Sequence, residues 1–159
     1  MPNRYPLEAH SRSKIDLRLR NLGWILDQHD PKCNVYQEQA KTDAQNKLFN
    51  HNRPDYVLYE SGTARPVAII EAKRPGQDLD KAMSQALKLY AKTIGEPLVF
   101  AFNDTFVFAK YAPQNRVLKI DGEELQDFVD QLTALRFINE GPEILSAPKG
   151  LNFSREDLI

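Results

Sequence analysis

One cysteine, Cys33, stands in a chain of 159 residues, so no disulfide framework and no thiolate-rich zinc site can form within it. The three histidines, His10, His29 and His51, have no spacing suited to a shared metal. The opening "MPNRYPLEAHSRSK" has no apolar stretch of the kind a secretory leader needs, and no run approaches membrane-spanning length. A glycine-rich G-x-x-x-x-G-K-[ST] loop is missing, which removes that route to ATP. Internal repeats and low-complexity tracts are absent too. These gaps point to a cytoplasmic domain with no membrane partner. An apolar content of 42% is enough for a genuine core at this length.

Charge is informative only when split. Residues 1–120 carry 18 Lys and Arg against 13 Asp and Glu, whereas residues 121–159 carry 3 against 9. A mildly basic body with an acidic end is compatible with a polyanionic ligand.

Along the chain, Ile15, Leu19, Leu22 and Leu26 in "SRSKIDLRLRNLGWIL" fall at helical spacing, with Ser11 or Ser13 as cap and Gly23 as stop. Trp24 is expected to pack beneath this helix. "NVYQEQA", "PDYVLYE" and "PVAIIEAK" have the Val, Ile and Tyr content of strands. The polar "KTDAQNKLFNHNR" between the first two reads as a loop or long hairpin end. After Pro75-Gly76, "QDLDKAMSQALKLYAKTIG" predicts a second helix ending at Gly95. "PLVFAF" and "TFVFAKYA" are two more strands, "RVLKI" a further short one, and "EELQDFVDQLTALRF" a third helix. The expected order is α-β-β-β-α-β-β-α, an α/β fold with a mixed sheet flanked by helices. The domain is expected to span 1–140, with 141–159 as a linker or tail towards a following domain.

The segment "RPVAIIEAKRPG" carries the chemistry. Alternate strand residues share a face, so Glu71 and Lys73 point together at the end of an apolar run. Asp55 opens the preceding strand, and pairing through "ESGTAR" brings it to the same sheet end. Two converging carboxylates repel, and a hard divalent ion such as Mg²⁺ (or Mn²⁺ in its place) meets the need for a cation. The carbonyl of Ala72, where the chain leaves the strand, is a further expected ligand. Lys73 is placed to orient water or to stabilise charge in the transition state. The plain alternatives are a turn carboxylate at Asp55 and a surface pair at Glu71 and Lys73. Glu38 in "YQEQA" could approach the same sheet end, but reads more simply as a solvated strand residue. "FNHNRPD" has a superficial likeness to an HNH nuclease but lacks the flanking histidines.

"RPD" at 53–55 and "EAK" at 71–73 resemble the PD-(D/E)xK nucleases. "SRSKIDLRLRNLGWIL", "RPDYVLY", "IIEAKRPGQDL" and "QALKLYAKTIGEPLVFAFND" are similar, more narrowly, to the N-terminal nuclease region of type I restriction enzyme R (motor) subunits, over roughly residues 5–120. The resemblance implies a restriction-endonuclease-like fold and a Mg²⁺-dependent deoxyribonuclease. It implies that Asp55 and Glu71 bind the metal and that Lys73 is catalytic. An upstream Glu in the first helix often supports such sites, and Glu8 matches it. DNA is the implied substrate, with specificity and methylation subunits and a helicase motor, on the same or another chain, as partners.

The family often carries Gln-x-x-x-Tyr on the helix after the catalytic strand. Here Gln85 and Tyr90 are five apart, about 140° around an ideal helix. Tyr90 therefore reads as core. Gln85, on a flank facing the site or solvent, is kept as a DNA-contacting or site-orienting residue, and Arg74 and Lys81 are phosphate contacts or plain surface charges. The competing function is a non-catalytic nucleic-acid-binding or assembly module on the same fold; the complete Asp55, Glu71 and Lys73 set favours the enzyme. Junction resolution or RNA cleavage on that fold is a more distant third.

Overall fold

A computed structural model describes residues 6–50, 52–95 and 97–146. Helix α1 (Pro6–Asn21) leads to strand β1 (Val35–Gln37), helix α2 (Asp43–Phe49), and strands β2 (Tyr56–Tyr59) and β3 (Pro66–Ala72). Helix α3 (Leu79–Leu89) and a 3₁₀ turn (Ala91–Thr93) precede β4 (Leu98–Phe102) and β5 (Val107–Tyr111). Short strands β6 (Arg116–Val117), β7 (Lys119–Ile120) and β8 (Glu123–Glu124), helix α4 (Gln131–Glu140) and β9 (Glu143–Ile144) follow.

The main sheet has the order β1-β2-β3-β4-β5-β6. Only β3 and β4 run parallel within it, joined by the α3 crossover; every other neighbouring pair is antiparallel. A small second sheet has the order β8-β7-β9. The fold is thus mixed α/β with a mixed sheet and helices on both faces.

Strand alternation sorts the two faces. Ala68, Ile70 and Ala72 of β3 share a buried cluster with Ile15 and Leu19 of α1 and Ala134 and Phe137 of α4. On the other face, Ile69 of β3 packs with Val57 and Tyr59 of β2 and with Phe49 of α2. Val99 and Ala101 of β4 meet Ala82, Met83 and Ala86 of α3 beside that cluster. β2 and β4 are buried along their whole lengths, because helices cover both sides of the sheet centre.

Several boundaries differ from the sequence reading, each for a local reason. α1 begins at Pro6, where a fixed φ and a missing N–H suit a first turn, so Ser11 and Ser13 lie inside it and cap nothing. The segment read as a loop contains α2, capped by Thr42, whose side chain accepts from the Gln45 N–H at 3.1 Å. It buries Phe49 alone, so it has almost no apolar period to read. The third helix starts at Gln131, after the Asp130 cap that accepts from the Thr133 N–H, and not at Glu123. Leu125, Phe128 and Val129 precede it yet still pack on the core. "RVLKI" divides at the buried Leu118 into β6 and β7, which belong to different sheets. Trp24 is buried, and its indole N–H donates to the Val129 carbonyl at 2.9 Å.

Candidate active site

The register of three strands assembles the site. Tyr56 pairs with Ile70 across β2 and β3, which sets Asp55 opposite Glu71 one step further along. Gln37 pairs with Tyr56 across β1 and β2, so Glu38 follows opposite Asp55, and its N–H donates to the Asp55 carbonyl at 2.9 Å. Three acidic residues on adjacent strands therefore reach one sheet end. Glu38 adopts a left-handed φ of 57°, an uncommon conformation for a residue with a side chain.

Asp55 and Glu71 are locked together through their backbones. The Asp55 N–H donates to Glu71 Oε2 at 3.1 Å, and the Ala72 N–H donates to Asp55 Oδ2 at 2.8 Å. Glu71 is only 7% exposed. Burial first, and then the charge of Asp55, holds its carboxyl well above the usual carboxylate range, against a smaller opposing pull from the Lys73 ammonium. Lys73 is half-buried just past β3, its N–H bonded to the Phe102 carbonyl at 2.7 Å. The three residues singled out for chemistry are thus neighbours.

Arg12, on α1, is the site's missing member in the sequence reading. Its guanidinium donates to Asp55 Oδ1 at 2.6 Å and to Glu38 Oε1 at 3.2 Å, and lies over the Tyr56 ring at 5.1 Å. The Tyr56 hydroxyl donates to Asp16 Oδ1 at 2.6 Å, fixing the ring beneath it. Burial, and then the hydrogen bond to Asp16, keeps that phenol strongly protonated. Glu38 is correspondingly a partner of Arg12 and not just a solvated strand residue, although its side chain is 55% exposed.

Tyr90 needs correction as well. It does pack with Phe49, ring edge to face at 6.1 Å between centroids, as a core residue would. Its hydroxyl also meets the Glu71 carboxyl; burial first, then the charges of Glu71 and Asp55, raises its pKa. Helix α3 ends at Leu89, and Tyr90 departs from ideal helical geometry at φ −118°, so a 100° step per residue misplaces it. Gln85, Arg74 and Lys81 are exposed side chains around α3 and its approach. The side chain of Glu8 lies outside the described residues, as does His51.

A family model for the type I restriction enzyme R protein N terminus matches residues 10–116. The chain belongs to that family. The match takes in Arg12, Glu38, Asp55, Glu71, Ala72, Lys73 and Tyr90 of the assembled site and begins just after Glu8. Neither a curated protein nor a solved structure matches the chain. The family places this domain in a restriction system. No helix among the described residues is long and apolar enough to cross a membrane.

The donor set fits a hard divalent ion. Among the described residues no group of three or more His, Cys, Asp or Glu side chains is placed to hold a metal, which argues against an all-protein cage. Mg²⁺ does not require one, since it commonly sits on one or two carboxylates plus water and substrate phosphate. Each carboxylate oxygen has two lone-pair positions, so the hydrogen bonds to Asp55 and Glu71 leave acceptor capacity. A buried carboxyl held against a second one favours its protonated form, and a cation bound there would favour the ionised form instead.

Proposed function

We propose that this domain is a metal-dependent endonuclease that hydrolyses DNA phosphodiester bonds as the cleavage module of a type I restriction system. The observation that carries the proposal is the Asp55–Glu71 carboxylate pair, with Lys73 beside it, at one sheet end of a chain in this family. Asp55, Glu71 and the Ala72 carbonyl would hold Mg²⁺ or Mn²⁺, with Glu8 as a further ligand. Bound there, the ion supplies activated water at neutral pH and neutralises charge developing on the scissile phosphate.

The chain's own groups do the rest. The Asp55 and Ala72 N–H bonds hold the two carboxylates close together at the sheet end. Lys73, on the Glu71 face of the strand, orients the attacking water and stabilises negative charge as it builds. Arg74, Lys81 and Gln85, exposed after β3 and along α3, contact the DNA backbone and set its position. The remaining parts of the machine, a motor and the specificity and methylation subunits, are partners in the cytoplasm, and this domain needs no ATP of its own. Plasmid nicking in Mg²⁺, compared across wild type, Asp55→Asn and Glu71→Gln at one salt concentration, tests the proposal. Cutting by wild type alone is expected. Equal cutting by all three overturns the assignment.

A second reading has one observation in its favour. Both oxygens of Asp55 are already engaged, by Arg12 and the Ala72 N–H, as they would be in a module that keeps the fold for binding or assembly. Absence of Mg²⁺-dependent cutting in the assembled restriction complex is its signature.

A further inference from the structure

Arg12 is buried, yet it sits against the carboxylate that the proposed nuclease reaction needs for its metal. Its side chain is 11% exposed and that of Asp55 14%, so water screens the 2.6 Å ion pair poorly. The guanidinium is held from two more directions, by Glu38 at 3.2 Å and by the Tyr56 ring beneath it. The first helix thus delivers a fixed positive charge to the end of β2. Deprotonation of water does not explain it, because a guanidinium has only donors and no acceptor.

We propose that Arg12 and a divalent cation compete for the Asp55 carboxylate, so that Arg12 sets how tightly the site holds its metal. The inference rests on the reading of Asp55 and Glu71 as metal ligands. In the metal-free protein, Arg12 neutralises the carboxylates and keeps the sheet end from repelling itself. A divalent ion arriving at Asp55 meets that positive charge, and the two ligands of one carboxylate oppose each other. Linkage makes the opposition reciprocal: metal loosens Arg12 as much as Arg12 weakens metal. Glu38, mostly exposed and already paired with the second guanidinium nitrogen, gives Arg12 a carboxylate to retain when Asp55 turns to the ion. Metal filling then releases the Arg12–Asp55 pair, while the Tyr56 hydroxyl bond to Asp16 continues to join α1 to β2. Weak intrinsic metal affinity is the consequence, relieved when substrate phosphate adds its own negative charge.

Calorimetric titration of Mn²⁺ into wild type, Arg12→Gln, Arg12→Lys and Asp55→Asn tests this without any cleavage assay. Arg12→Gln is expected to bind about tenfold tighter than wild type, within the ordinary range of coupling between sites. Arg12→Lys, which keeps the charge, is expected to stay near wild type. Equal or weaker binding by Arg12→Gln overturns the competition and makes Arg12 a support of the site. No Mn²⁺ binding by wild type or Arg12→Gln overturns the metal-site reading itself, and the inference with it. A measurement on unmutated protein covers the case in which Arg12→Gln does not fold. The Arg12 Nε–H resonance, assigned by its loss in Arg12→Lys, is followed as Mg²⁺ is added. The expected result is a shift that saturates with the calorimetric binding curve. A stationary resonance while Mg²⁺ binds overturns the proposal.

Discussion

At the level of single residues, Glu71 and Asp55 define the electrostatics. Glu71 lies one residue before the end of an otherwise apolar strand, and its raised pKa follows from burial and then from Asp55. An acid whose folded pKa lies above its unfolded value gives stability that is fully present below the unfolded value and lost as pH rises through the folded one. Metal-free protein is therefore expected to lose stability as pH climbs above the ordinary carboxylate value of 4.5, with Asp55, Lys73 and Tyr90 facing the same group. Glu71→Gln, which cannot ionise, should flatten that part of the profile in urea titrations across pH. An unchanged slope would show that Glu71 titrates normally. Lys73 carries a separate expectation. Lys73→Ala should lower cleavage by about a hundredfold or more with DNA affinity nearly unchanged, the pattern of a group acting in the transition state. Collapsed affinity with surviving turnover at saturating DNA would make it an anchor.

The elements show how much of this was legible. Strands β2 and β3 and the presence of helix α3 were readable because their apolar patterns are long and Pro75-Gly76 is a clear stop. The expected helix end at Gly95 was wrong: α3 ends at Leu89 and a separate 3₁₀ turn, Ala91–Thr93, follows. Asp55, Glu71 and Lys73 came from that same stretch, where a charged pair at the end of "VAII" has no plain core role. Arg12 was hidden because its site partners lie 26 and 43 positions away, a distance no local period records. Tyr90 was hidden by the end of α3, where ideal helical geometry stops applying. Helix α2 was hidden because Phe49 is its one buried side chain. That residue is correspondingly important: it backs the Tyr90 ring that meets Glu71. Phe49→Ala should cost about 3–5 kcal/mol in urea unfolding, the usual loss for a buried aromatic. A loss under about 1 kcal/mol, small by the same standard, would mean that α2 is not anchored through it.

Taken whole, the molecule is a helix-covered sheet with its candidate chemistry gathered at one end and a family that ties it to a larger restriction machine. If the proposed nuclease acts only within a complex driven by a motor, it is expected to be held in check alone. Plasmid nicking by the isolated domain should be weak and should rise when partner subunits and their motor are supplied; strong unregulated cutting by the domain would contradict that dependence. Its basic body, with 18 Lys and Arg against 13 Asp and Glu in residues 1–120, should make any DNA binding fall steeply with salt. All of this depends on what the Asp55–Glu71 pair holds. Anomalous diffraction from crystals of the domain soaked in Mn²⁺ tests that most directly. The account predicts a peak bonded to both carboxylates, at about 2.0–2.1 Å from oxygen by analogy with Mg²⁺. A saturated crystal with no peak there, or with Mn²⁺ only on other carboxylates, would contradict it.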